Sequence, residues 1–268
     1  MTKLISKDFG WGIKKENATA YATACLELSD DITDFRKDSG YRKILEGGGL
    51  DVFNYFLNAI RQHDLSEMFF GNLEYFREND KYGNPDLYSD SEIGKFSPTT
   101  LKYALNILNI LEAFDKDKIN KIVEIGGGYG GIAVILQKFI DFDEYVLVDL
   151  PECNLLTDKY ISMFPSLKGK VKTVNCHELD YDFDNTDLTI AINSLSECNR
   201  DVQLGYFRDI ISKSRYSYVV RNIDKQSCLD DHQQGLDLLP DNFLYDDTNR
   251  VEETYSSNRI VYIKREDD

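Results

Sequence analysis

The chain has 268 residues, 42 % hydrophobic and 12 % aromatic, enough for one α/β domain with an added element and a packed core. Its 31 Lys and Arg against 47 Asp and Glu give a formal charge of −16, a mean field that repels phosphate backbones and anionic lipid headgroups. The expectation is therefore no nucleic-acid partner and no membrane insertion, and the dispersed cysteines and absent apolar leader predict a cytoplasmic protein.

From Ala18 to about Phe76 apolar residues recur at helical intervals, as in Leu50, Phe53, Phe56, Leu57 and Ile60, which predicts an N-terminal helical subdomain. The turn-rich stretch from Asn79 through Gly83-Asn84-Pro85 to Lys95 reads as a linker or loop bordering an acceptor site, so residues 1–95 form one unit and 96–268 the other. Ser97-Pro98-Thr99-Thr100 has the chemistry of a helix start, with Ser97 as cap and Pro98 where its missing N–H costs nothing. That helix is expected to reach Phe114, with one apolar stripe.

Beyond it strands and helices alternate. Residues 121–125, 144–150, 171–175, 187–193 and 216–222 read as strands, and 132–140, 152–164 and 201–212 as helices. This order predicts a Rossmann-like, doubly wound α/β sheet with right-handed crossovers. Two strand-like runs at 242–245 and 259–264, without a helix between them, predict a closing C-terminal antiparallel hairpin.

The most informative motif is Val123-Glu124-Ile125-Gly126-Gly127-Gly128-Tyr129-Gly130-Gly131, between a strand and a helix. Glycines there let the backbone turn sharply and approach a nucleotide-like cofactor. Gly126, Gly128 and Gly131 satisfy a dinucleotide pattern, whereas Glu124, Gly126, Gly128 and Gly130 satisfy the acidic-x-G-x-G-x-G pattern of methyltransferases. Glu124, the preceding helical segment and the closing hairpin favour S-adenosyl-L-methionine, whose ammonium group a carboxylate attracts and a diphosphate would not use. Asp149 at the end of the next strand suits ribose hydroxyls, or caps the helix at Pro151, and Leu150 suits the adenine face.

With these words in place, the sequence resembles a sugar O-methyltransferase family found in bacterial surface-polysaccharide loci. The likeness rests on Asn79-Asp80, Gly83-Asn84-Pro85, Phe96-Ser97-Pro98-Thr99-Thr100-Leu101, the glycine motif, Asp149-Leu150-Pro151-Glu152 and Asn193-Ser194-Leu195-Ser196-Glu197, over roughly residues 40 to 225. It implies a sugar hydroxyl, on a small molecule or a glycan, as methyl acceptor. An NAD-dependent oxidoreductase and a noncatalytic cofactor-binding scaffold are the other readings of the same motifs.

Transfer of a methyl group to a weakly acidic hydroxyl is helped by a base. Glu197, with Asn193 in the same segment beyond the fourth strand, is placed at the sheet's carboxyl edge, where its other reading is a charge in a helix's first turn. His177 is the second candidate base, or a neighbour of the adenine. His63 and His232 read as surface residues, and the paired aspartates lack ligand spacing, so no metal is expected.

Overall fold

The computed structural model describes residues 15–46, 48–222, 243–246, 250–252 and 257–265. The N-terminal region is helical, as its periodicity predicts: α1 (Lys15–Leu28), α2 (Ser39–Arg42), α3 (Leu50–Gln62), α4 (Ser66–Gly71) and α5 (Leu73–Arg77). The turn-rich stretch that follows contains a short antiparallel hairpin, β1 (Tyr88–Asp90) with β2 (Gly94–Phe96), paired from Tyr88–Phe96 to Asp90–Gly94. Three-residue strands carry too little alternation to be seen in the sequence.

Helix α6 (Pro98–Ala113) starts as its sequence predicts: Ser97 Oγ accepts from the Thr100 amide at 3.1 Å, and Pro98 opens the first turn. The main sheet follows as β3 (Lys121–Ile125), β4 (Glu144–Asp149), β5 (Val171–Asn175), β6 (Thr186–Ile192) and β7 (Ser214–Asn222), all parallel to one another. Helices α7 (Gly131–Leu136), α8 (Pro151–Ile161) and α9 (Arg200–Asp209) make the crossovers after β3, β4 and β6. The C-terminal strands are β8 (Phe243–Asp246), β9 (Arg250–Glu252) and β10 (Ser257–Arg265).

The strand order is β5-β4-β3-β6-β7-β10-β8, with β10 antiparallel to both β7 and β8 and β9 also pairing with β10. The predicted closing hairpin is present, and β10 is inserted between the last parallel strand and β8. The chain runs outward from β3 through β4 and β5, then returns to the other side of β3 as β6. That reversal opens a crevice at the carboxyl ends of β3 and β6, where ligands bind in open α/β sheets.

Strand alternation sends Ile122, Tyr145, Leu147 and Ile190 to one face, where they share a buried cluster with α6, α7, α8 and the N-terminal helices. Val123, Ile125, Val146, Val148 and Val219 face the other way, against Tyr206, Phe207 and Ile210 of α9 and its end. Both faces are covered, which is why the central strands read as nearly continuous apolar runs. Tyr21, Phe53 and Phe76 belong to the same buried cluster as Ile132 and Leu136, so the N-terminal helices extend the sheet's core.

A buried polar clasp ties that region together. Arg36, 1 % exposed, donates through Nε to Glu46 Oε1 at 2.7 Å, through Nη1 to the Asn79 carbonyl at 2.7 Å and to Asp80 Oδ1 at 3.1 Å, and through Nη2 to Ser97 Oγ at 2.9 Å. Asp80 also accepts from Thr100 Oγ1, and Asn79 Nδ2 donates to Thr100 Oγ1 at 2.8 Å and to the Tyr129 hydroxyl at 3.0 Å. The clasp therefore joins α6 and the 3-10 turn at Glu78–Asp80 to the glycine motif.

A candidate cofactor and acceptor cleft

Strand β3 ends at Ile125 and the chain turns at once. Gly126 adopts φ 72°, donates its amide to the Val148 carbonyl at 2.8 Å, and lies so near the segment after β6 that an added Cβ would come 2.3 Å from the Ser194 Cβ. Gly128 adopts φ 56°, and an added Cβ there would come 2.5 Å from Leu45 Cδ1. A side chain at either position is opposed both by the left-handed backbone and by a neighbour. The turn is thereby pressed between β4 and β6, leaving a cleft of about 210 Å³ at the sheet's carboxyl edge.

Gly126, Gly128, Asp149, Leu150, His177, Asn193 and Glu197, seven residues singled out in the sequence, all line this cleft. Asp149 Oδ2 accepts from the Gly128 amide at 3.0 Å and Oδ1 from the Leu150 amide at 2.7 Å. Burial raises its pKa to about 6, although those two amides oppose the rise by favouring the carboxylate. The carboxylate is thus fixed to the turn, in a setting where a hydroxyl or cationic partner strengthens its charged form.

Two expected residues stand off the wall. Glu124 shares the helical face of the sheet with Ile122; it is 3 % exposed, and Tyr145 donates to its Oε2 at 2.6 Å. Its carboxylate lies behind Gly127, where an added Cβ would be 2.9 Å from Glu124 Oε2. Residues of one parity along β3 point into the helical layer, so this carboxylate backs the turn and is not among the residues that line the cleft. Burial pushes its pKa to about 8 against the Tyr145 hydrogen bond, with Asp149 adding to the rise. Gly130 caps α7 beneath Thr157 and Ile161 and is likewise outside the lining.

Across the turn, β6 ends at Ile192 and Asn193 takes φ 63°, its amide donating to the Val220 carbonyl at 2.8 Å. Its side-chain Oδ1 is buried without a hydrogen-bond partner. A buried acceptor left unsatisfied costs free energy, and a donor placed in the cleft would relieve it. The 3-10 turn Leu195–Glu197 then brings Glu197 to the wall, where burial raises its pKa to about 7, Lys102 opposing and Asp149 reinforcing the rise. His177 borders the same space after β5, its amide bonded to Asn175 Oδ1 at 2.9 Å.

Tyr21 of α1, Ile44 and Leu45 after α2, Lys102 of α6, and Tyr206 of α9 also line the cleft, and nothing in the sequence singles them out. Their apolar members follow the same helical period as core residues, so nothing local marks them. Lys102 carried a weak signal, a lone cation one turn into a helix that is otherwise largely buried. The segment from Asn79 to Pro98, expected to border the acceptor, is absent from the lining; Asn79 and Asp80 belong to the buried clasp instead. His63 is likewise structural, bonded through Nε2 to Asn109 Oδ1 at 3.0 Å and accepting at Nδ1 from the Leu65 amide at 3.0 Å. His232 lies outside the described residues.

The fold is Rossmann-like α/β, with an antiparallel strand inserted beside its last parallel strand. No family profile and no curated protein sequence matches the chain, so its resemblance to sugar O-methyltransferases stands on the motif words alone. Among solved structures it is similar to the methyltransferase domain of bacterial CtHen1, at 9 % identity and TM-score 0.48, over 62 % of this chain and 97 % of that one. M. capricolum TrmK, in complex with S-adenosyl-homocysteine, is similar at 14 % identity and TM-score 0.42, over 56 % and 65 %. The catalytic domain of hMettl16 in complex with MAT2A 3′UTR hairpin 6 is similar at 12 % and 0.43, over 65 % and 73 %.

That last structure corrects one expectation. The acidic net charge predicts no nucleic-acid partner, yet hMettl16, similar over part of this chain, is held in complex with a 3′UTR hairpin. A mean charge describes the average surface, and a local field at a binding face is independent of it. No described helix is long and apolar enough to cross a membrane.

Proposed function

We propose that the protein is an S-adenosyl-L-methionine-dependent O-methyltransferase whose acceptor is a hydroxyl group on a sugar. The observation that carries the reading is the convergence of Asp149, the Gly126–Gly128 turn and the Asn193–Glu197 segment on one cleft at the strand-order reversal. The residues present fit this cofactor. Glycine leaves room for close backbone approach, Asp149 and Leu150 suit ribose and adenine, and the unsatisfied Asn193 Oδ1 suits an ammonium donor.

When bound, S-adenosyl-L-methionine supplies an electrophilic methyl carbon on a sulfonium. The chain's own part is to align an acceptor oxygen with that carbon and to remove its proton. Glu197 is the base in this reading: with a pKa raised to about 7, about half of it is ionised at neutral pH, and it is basic enough to help a hydroxyl. Tyr21, Ile44 and Leu45 line the cleft from the N-terminal helical region. The sugar itself is supported by the motif resemblance and by the presence of a base, which an already acidic acceptor would not require.

The test is transfer of a labelled methyl group from S-adenosyl-L-methionine to a nucleotide-sugar panel, with an RNA pool assayed in parallel. Labelled sugar, lost in Glu197→Gln, is the expected result. Label in RNA alone would replace the sugar assignment while leaving methyl transfer intact, and no transfer to any acceptor alongside NAD-linked oxidation would overturn both.

A further inference from the structure

Lys102 is the one Lys or Arg among the described residues that line the cleft, and it shares that wall with two carboxylates, Asp149 and Glu197. Its place is fixed by the fold. Helix α6 is capped by Ser97, Thr100 is fully buried in the clasp, and the Lys102 carbonyl accepts from Asn106 Nδ2 at 2.7 Å. The backbone that presents the side chain is therefore rigid, while the half-buried stem extends toward the cleft.

S-adenosyl-L-methionine carries one anion, the carboxylate of its amino-acid end, and the wall offers one ammonium to receive it. Asp149 stands at the end of β4, on the side expected to take ribose. Lys102 shares the lining with Asn193 and Glu197, and its charge opposes the rise that burial gives the Glu197 pKa. An anion in the cleft finds in Lys102 the one formal positive charge among the described lining residues.

Resting on the cofactor reading above, we propose that Lys102 binds the carboxylate of the cofactor's amino-acid end and so selects intact S-adenosyl-L-methionine over decarboxylated forms. The ammonium makes a charge-assisted hydrogen bond with that carboxylate inside a partly desolvated cleft. Contacts of this kind contribute roughly 1.5–3 kcal/mol, corresponding to about a 10- to 150-fold change in affinity. The assignment concerns cofactor selection and leaves the acceptor open.

Calorimetry on the full chain separates the possibilities, with S-adenosyl-L-methionine and decarboxylated S-adenosyl-L-methionine titrated into wild type, Lys102→Met and Lys102→Arg. The expected result is that Lys102→Met loses at least about tenfold in affinity for the intact cofactor, keeps its affinity for the decarboxylated form, and is largely rescued by Lys102→Arg. Equal loss for both ligands, or loss for neither, would overturn the Lys102 assignment while leaving the cofactor reading standing. A folded wild type that binds neither ligand would overturn the cofactor reading and this assignment with it.

Discussion

Tyr145 donates its hydroxyl to Glu124 Oε2 at 2.6 Å, joining neighbouring parallel strands directly behind the glycine turn. The pair is buried, and Glu124 holds its proton up to about pH 8 whereas an ordinary glutamate releases it near 4.5. The unfolded chain therefore ionises this residue first. Its contribution to stability is present at acid pH and is lost as pH rises through 8.

Glu124→Gln keeps an acceptor for Tyr145 and removes the titration. The variant is expected to match wild type near pH 5 and to be more stable at pH 9, by on the order of 3–5 kcal/mol. Urea unfolding midpoints across that range check it. A variant less stable than wild type at every pH would show that the carboxylate is ionised and paired in the native state.

Arg36 makes the strongest prediction about the clasp. It is enclosed by Glu46, Asp80, Ser97 and the Asn79 carbonyl, with its side chain fully shielded from solvent. Arg36→Met strands two buried carboxylates and is expected to destabilise the chain by about 3–5 kcal/mol. Denaturant midpoints measure the loss; a change below about 1 kcal/mol would mean the clasp is open to water.

Gly126→Val tests the turn. A Cβ at that position meets Ser194, and φ 72° strains a β-branched residue. The folded variant is expected to lose S-adenosyl-homocysteine binding because Ser194 and the turn are driven apart beside the cleft. Unchanged affinity in a protein with native circular dichroism would place the cofactor elsewhere.

The pH profile of turnover follows from Glu197. With its pKa at about 7, the rate of the methyl-transfer step should rise roughly tenfold per pH unit on the acid side and level off above 7. Glu197→Gln should lose about 10²- to 10⁴-fold in that step with cofactor affinity nearly unchanged. Lys102→Met removes a nearby cation, so the inflection in that variant should move to higher pH. A flat profile in single-turnover measurements of wild type would remove Glu197 from the role.

The parallel strands, the closing hairpin and the glycine turn were legible because each depends on local pattern: apolar runs, turn chemistry and left-handed glycines. Asp149, Asn193 and Glu197 could be assigned to one sheet edge because strand polarity alone puts their positions there. Glu124 shows the limit. Its motif position points to a ligand, but the alternation of β3 directs its side chain into the helical layer, where Tyr145, distant in sequence, receives it. The words Asn79-Asp80 and Ser97-Pro98-Thr99-Thr100 were visible as motifs, yet their use in a buried arginine clasp depends on Arg36, more than forty residues earlier in the chain. Tyr21 and Leu45 reach the cleft only through tertiary packing, which helical periodicity does not encode.

The central claim is the identity of the cofactor, and calorimetric titration of the purified chain with S-adenosyl-homocysteine and, separately, with NAD tests it most directly. Saturable binding of S-adenosyl-homocysteine, weakened in Asp149→Asn, and no binding of NAD is the predicted result. Saturable binding of NAD with none of S-adenosyl-homocysteine would contradict it.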